Sequence, residues 1–384
     1  MIFETQEIEQ LIAFRKELHA HPELSGEEKD TANRVVDFLK ACNASHIISQ
    51  VGGHGVIAVY DSKKEGPSVM FRADMDALPI AEENDFDHRS KTKGVSHKCG
   101  HDGHTTMLLG LAKLLSKNPP QKGKAILLFQ PAEEIGKGAA AVLNDEKFKS
   151  LKPDWVFGLH NLPGYELHEL VAKEDSFTAS VTSIVIELRG KTTHAAEPEH
   201  GINPTLAVSE IIQEASIWSN NQPKREDFAV VTPIHVHLGS EAYGTSAGDA
   251  TIGFTIRTWT EEEMKQLKSK IETFLISIAK KHRLKLDFKY IEEFNACENH
   301  PEATQQILQA AENLNLKLTR PELPFKWGED FGLFTQKYKG TFFGLGAGKE
   351  TPSLHNPDYD FPDVLIPTGA QLFYELCKNY LACP

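Results

Sequence analysis

Side chains able to hold a metal ion recur just beyond short apolar runs of this sequence. The run 68–71 leads to Asp74 and Asp76 in RADMDALP, and the run 125–129 to Glu133 and Glu134 in FQPAEE. The run 155–159 leads to His160, and the run 341–345 to a loop with His355 in SLHNPDYDF. A fifth segment, CGHDGH, places Cys99, His101, Asp102 and His104 ahead of the helical pattern TTMLLGLAKLL. Imidazole and thiolate suit zinc and similar borderline ions, and carboxylates also suit manganese. Two ions about 3.5–4 Å apart can clamp a water and polarise a carbonyl. A nearby carboxylate that is not a ligand can take the proton of that water. Adjacent glutamates offer both roles, one as ligand and the other as base.

Each feature alone has an ordinary reading. A histidine after a strand is commonly a polar loop residue, and adjacent acids are commonly a solvated pair. This acidic pair, however, directly follows an apolar strand and Pro131. The spacing of His97, His101 and His104 resembles a helical zinc motif, but Gly100 and Gly103 argue against a continuous helix there. No H-E-x-x-H occurs. The convergence of five segments carries the metal-site expectation.

The elements that must position these residues follow from apolar spacing. Residues 5–20 carry Ile8, Leu11, Ile12 and Leu18 on one helical face, and 31–41 carry Val35, Val36, Phe38 and Leu39 likewise. Runs at 56–60, 68–71, 125–129 and 155–159 read as strands, with a helix at 105–115. Strands alternating with helices predict an α/β domain with a mixed, largely parallel sheet. Ligands then meet at the carboxyl ends of its strands. The pattern changes near residue 178. Strands at 181–188, 228–238, 251–259 and 284–290 alternate with helices at 204–218 and after Thr260, where Glu263 completes a capping box. The order β-α-β-β-α-β predicts a ferredoxin-like α+β unit. The expected organisation is a discontinuous catalytic domain, 1–177 and 293–384, with a lid and dimerisation domain inserted at 178–292.

Composition limits the alternatives. A chain of 384 residues suggests two domains. Hydrophobic residues at 40% and charged residues at 25% disfavour a disordered, collagen-like or membrane protein. The balance of 41 basic and 54 acidic residues, a net charge of −13, argues against nucleic acid or anionic lipid as a partner. The five cysteines form no C-x-x-C pair, which reads as free thiols in a reducing compartment. The N-terminal residues show no apolar signal region, so the cytoplasm is expected. GLGAGK at 344–349 lacks the spacing and the Ser/Thr of a phosphate loop.

The chemistry-bearing segments resemble the M20 family of metallopeptidases and amidohydrolases, and within it the aminoacylase-like branch. That branch includes hippurate hydrolases, N-acyl-L-amino-acid amidohydrolases, N-acetyldiaminopimelate deacetylases and plant auxin-conjugate hydrolases. The likeness runs through HAHPELSGEE (19–28), FRADMDALP (71–79), KCGHDGHT (98–105), FQPAEE (129–134), GLHNLPG (158–164), THAAEPEHGINP (193–204), WGEDFG (327–332) and LHNP (354–357). The resemblance implies a catalytic domain with two divalent metal ions (Zn, Mn, Ni or Co) and an inserted lid that usually pairs into a homodimer. It implies Cys99, His101, Glu134, His160 and His355 as metal ligands, with the Cys99 thiolate in the place of a bridging aspartate. Glu133 would be the general base and Asp76 an orienting group. His194 in the lid would stabilise the oxyanion of the tetrahedral intermediate, from its own chain or a partner.

Two departures stand out. Where the family often has N-V-I-P-x-x-A, this chain reads YGTSAGDA at 243–250, and the usual alanine before Cys99 is Lys98. Asn203 and Arg257 fall at lid positions that could bind a substrate carboxylate, and for Arg257 a structural ion pair is an equal reading. The expected function is metal-dependent hydrolysis of N-acyl-L-amino acids by an activated water. The alternative is a dipeptidase or aminopeptidase of the same family. A binding protein without catalysis, or a Cys–His nucleophile, would require loss of the base or activity that survives chelators.

Overall fold

The computed structural model describes residues 2–384. The chain divides into two compact units. The first comprises residues up to Phe177, Cys297–Glu322 and Asp330–Pro384, and the second comprises Thr178–Ala296 and Leu323–Glu329.

The first unit is built on an eight-stranded sheet. Its strands begin with β1 (His46–Val51), β2 (Gly55–Asp61), β3 (Ser68–Asp74), β4 (Lys124–Gln130) and β5 (Trp155–Pro163). The order across the sheet is β1-β2-β4-β3-β5, followed by Lys339–Gly348, Leu170–Val171 and Leu318–Thr319. The central strands β4, β3, β5 and Lys339–Gly348 are parallel, while β1, β2 and Leu170–Val171 join antiparallel. Every residue of β3 is buried. That fits a central parallel strand covered on both faces, where the sequence reads as a continuous apolar run rather than an alternation.

Helices α1 (Thr5–Ala20), α2 (Lys29–Lys40) and α3 (His101–Lys117) pack with Leu365–Leu381 on this sheet. Helix α3 is apolar nearly all round, with Met107, Leu108, Leu109 and Leu111 in the core. A helix of that composition belongs inside a layer rather than on a surface. It starts at His101, four residues before the expected start, and contains Gly103. A Cβ on Gly103 would lie 2.3 Å from the Phe361 ring. The packing of that ring offsets the poor helix propensity that argued against an early start.

The second unit is a four-stranded antiparallel sheet in the order Ala229–Leu238, Asp249–Thr258, Ser180–Arg189, Lys285–Phe294. Helices Thr205–Trp218 and Glu261–Lys281 supply Ile211, Ile271 and Leu275 to a core shared with Ile184, Ile186, Ile252 and Phe254. This is the ferredoxin-like arrangement. Its second helix opens with the capping box: the Thr260 side chain accepts from Glu263 N, and Glu263 Oε2 accepts from Thr260 N. Leu323–Glu329 adds to this unit, with Ala179 N donating to Phe325 O. Among the described residues no helix is long and apolar enough to cross a membrane.

Candidate metal centre

The carboxyl ends of the parallel strands converge on one buried cluster. Strand β3 ends at Asp74 and leads to Asp76, and β4 leads through Pro131 to Glu133 and Glu134. His160 lies within β5 rather than beyond it. Cys99 directly precedes Gly100, the cap of α3, and His101 is the first residue of that helix. Gly100 has φ 93°, and a Cβ there would lie 2.5 Å from Asn161 Nδ2. Glycine therefore lets the chain pass from Cys99 into α3.

Among the described residues five overlapping groups bring their ligand atoms within 4.8 Å of one another: Cys99–His101–His160, Cys99–Glu134–His355 and His101–Glu133–Glu134, flanked by Asp74–His101–His104 and Glu133–Glu329–Asp330. Cys99 Sγ is 3.3 Å from His160 Nε2. Glu134 Oε1 is 3.7 Å from both His101 Nε2 and His355 Nε2. His101 Nε2 and Glu134 Oε1 are both buried and without a hydrogen-bond partner. Unpaired buried polar atoms are costly, and two facing one another beside a thiol and a further imidazole are what a cation would satisfy. The donor set of thiolate, imidazole and carboxylate suits a borderline divalent ion.

Tautomers are set by the surroundings. His101 Nδ1 lies 3.0 Å from Asp76 O and 3.2 Å from Asp76 Oδ1, so Nδ1 keeps a proton and Nε2 is the nitrogen that would turn a lone pair into the cluster when a cation replaces its proton. Asp76 Oδ2 also accepts from Ser25 Oγ at 2.6 Å and Glu134 N at 2.9 Å. His160 Nδ1 faces Asn161 O at 2.8 Å, which leaves Nε2 for Cys99. His104 is already engaged on both sides. Its Nδ1 is 2.7 Å from Asp74 Oδ1, and its Nε2 accepts from Asn161 N. Asp74 is held in turn by Arg72 Nη1 at 2.6 Å. His104 and Asp74, metal-competent by type, thus support the cluster by hydrogen bonding.

The glutamate pair sits on a strained turn. Ala132 has φ 55°, and its N–H donates to the buried Glu28 at 2.8 Å. Glu133 Oε1 accepts from Asp330 N at 3.4 Å. Asp330 is bound by Arg72, Gln130 and Ala139 N. The supporting roles of Glu28, Arg72 and Asp330 escaped sequence reading. Their motifs HAHPELSGEE, FRADMDALP and WGEDFG offered a signal, but not the partners.

Electrostatics point the same way. Burial pushes the Cys99 thiol well up, and Glu134, Glu133 and Asp74 add to it. Burial also raises Glu134 to about 7, and Asp76 and Asp74 add to that rise against the opposing pull of His101. For His101 burial works against charge, yet Asp74, Asp76 and Glu134 outweigh it and raise the ring to about 10. The cluster holds excess negative potential, which a bound cation would offset.

The remaining sequence-expected residues lie in the second unit. His194 is exposed on a short strand, paired with Thr245. Asn203 donates to Ser246 Oγ at 2.9 Å and accepts from Thr205 N at 2.9 Å, holding the start of the first helix of that unit. Arg257 donates from Nη1 to Lys326 O.

Residues 70–379 match the sequence pattern of Peptidase family M20/M25/M40. The chain belongs to that family. Among its relatives is the N-acetyl-L-cysteine deacetylase of Bacillus subtilis (strain 168), 33% identical over 97% of this chain and 88% of that protein. The IAA-amino acid hydrolase ILR1-like 5 of Arabidopsis thaliana is 32% identical over 97% of this chain and 86% of its own length. Among solved structures, the Bacillus subtilis YXEP protein, described as a dinuclear metal binding peptidase from the M20 family, superposes with a TM-score of 0.83. It is 29% identical and covers 99% of this chain and 100% of its own.

Proposed function

We propose that this chain is a metal-dependent amidohydrolase that cleaves the amide bond of N-acyl-L-amino acids to a carboxylate and a free amino acid. The observation that carries the reading is the pairing of unsatisfied His101 Nε2 and Glu134 Oε1 beside Cys99, His160 and His355, with Glu133 within the same cluster. The substrate class is supported by the names of the relatives, an N-acetyl-L-cysteine deacetylase and an IAA-amino acid hydrolase.

The residues that would hold two divalent cations are Cys99, His101, His160, Glu134 and His355. Cys99, His101 and Glu134 each belong to two of the first three groups named above, and of these the thiolate suits a shared ligand. When bound, such ions supply Lewis-acid polarisation of a carbonyl and lower the pKa of water. Glu133 takes the proton of the attacking water and returns it to the leaving nitrogen. Its burial strengthens that role, because charge interactions are strong away from solvent. Asp76 fixes the His101 ring. His194 serves as the oxyanion donor, and Asn203 and Arg257 bind the substrate carboxylate; support for these three is chemical type and motif.

The test is release of free amino acid from N-acetyl and N-benzoyl amino acids and from plain dipeptides, using metal-free protein and protein restored with manganese or zinc. Metal-dependent release from the acylated compounds supports the reading. In Glu133→Gln, turnover should fall about 10²–10⁴-fold with metal content unchanged. Cleavage of dipeptides alone would move the protein to the peptidase alternative.

The second unit is proposed to pair two chains. Its edge strand Ala229–Leu238 exposes Ile234 at 60% and Val236 at 40%, an apolar edge of the kind that pairing covers. Light scattering at micromolar concentration should give a dimer mass, and a monomer would remove the proposal. The five free thiols support a reducing compartment, the cytoplasm.

A further inference from the structure

We infer that Lys98 is a positioning residue that straps the His355 loop to the metal centre. The inference rests on the metal-centre reading above. His355 has a half-exposed ring, so side-chain packing holds it weakly, and its backbone is left-handed at φ 66°. Such a conformation in a non-glycine residue persists only where the surroundings impose it. Lys98 imposes it from two directions. Its carbonyl accepts from His355 N at 2.7 Å, and its ammonium donates to Tyr359 O at 2.7 Å. The loop is thus gripped four residues apart by one residue, and that residue is covalently next to Cys99. Tyr359 adds a third link, donating to Asn161 Oδ1 while Asn161 Nδ2 donates to Cys99 O.

The lysine is fully buried and ion-paired with Glu82 Oε1. A buried ion pair gains little stability over apolar residues of similar volume, so stability alone gives no reason for a lysine here. A main-chain carbonyl at Tyr359 requires a donor, and Lys98 supplies one at the end of a side chain fixed by Glu82. Asn84 Nδ2 also reaches Tyr359 O, but at 3.2 Å and from outside the Cys99 segment. The consequence falls on His355. With the ammonium contact to Tyr359 O cut, the backbone bond from His355 N to Lys98 O is left to hold the loop, the ring loses its fixed place opposite Glu134 Oε1, and the ion those residues share is bound more weakly.

The test compares full-length wild type, Lys98→Met, the charge-balanced double variant Lys98→Met with Glu82→Gln, and His355→Ala. The double variant removes both partners of the Lys98–Glu82 pair and keeps its net charge, so a folding defect in the single variant does not decide the outcome. Amide hydrogen exchange over residues 353–360 is read in metal-free protein. Zinc and manganese affinities are read by titration against a competing chelator. Exchange of the loop should rise about tenfold or more, and one ion should bind about 10–100-fold more weakly, as in His355→Ala, while the other keeps wild-type affinity. A purely structural role would lower the melting temperature and leave the two affinities in their wild-type ratio. Unchanged loop exchange overturns the inference whatever the metals do. Faster exchange with wild-type affinities overturns it as well. A wild type that takes up no ion removes the metal-centre reading and this inference together, whereas a two-ion wild type matched by the double variant removes the role of Lys98 alone.

Discussion

Asp76 does three jobs with one carboxyl group and its own carbonyl. It accepts from His101 Nδ1, from Ser25 Oγ and from Glu134 N, so a single side chain orients one candidate ligand and anchors the backbone of another. Charge matters here as well as geometry, because a carboxylate raises the basicity of the imidazole it faces. Asp76→Asn should keep the fold and weaken metal binding about 10–100-fold, measured by chelator competition. An affinity equal to wild type would show that the carbonyl of residue 76 suffices to hold the ring. Residue types near the cluster were legible in the sequence; their division of labour was not. Cys99, His101, Glu133, Glu134, His160 and His355 each carry a local signal, a motif or an apolar run before them. His104 carries the same signal, but Asn161 and Asp74 occupy both of its nitrogens.

Helix α3 decides where His101 stands. Its first turn starts after a left-handed glycine and contains a second glycine against an aromatic ring. Gly103→Ala would improve helix propensity yet drive a methyl group into Phe361, and overpacking of that kind costs about 1–3 kcal/mol. Urea denaturation should show that loss, together with weaker metal binding because His101 moves with its turn. A gain in stability would mean that the Phe361 ring gives way freely. The expected start of this helix was late because propensity is local, whereas the space beside Gly103 is set by a residue more than 250 positions away. The ferredoxin-like pattern of the second unit was legible because each of its elements alternates or repeats within its own span.

A buried charge network ties the first unit together. Both ring nitrogens of His19 face carboxylates, Asp102 at 2.8 Å and Glu82 at 2.9 Å, which makes the ring an imidazolium. Burial opposes that charge, but the hydrogen bonds to Asp102 and Glu82 outweigh it and raise His19 from 6.5 to about 9. Burial likewise opposes the Glu82 charge, and His19, Lys98 and Ser90 N overcome it, lowering Glu82 to about 2. A raised histidine contributes stability that is complete below its unfolded value and lost as pH rises. A lowered carboxylate contributes stability that is complete above its unfolded value and lost as pH falls. Melting temperature should therefore fall between pH 6.5 and about 9 through His19, and between pH 4.5 and about 2 through Glu82. In His19→Gln the alkaline slope should flatten. An unchanged slope would assign it to other groups.

From its sequence alone the chain declared its layers, its family resemblance and the residue types of its candidate metal centre. Those follow from periodicity and from short motifs, and both are local properties. Tertiary structure decided which polar atoms are satisfied and which are left for a cation. Arg72 finds Asp330, Glu28 finds the amide of Ala132, and Lys98 finds Tyr359 only when segments distant in sequence lie side by side. Burial is the physical reason. A lysine or an aspartate reads as surface in a linear chain, and only the folded layers remove it from water and force it to take a partner.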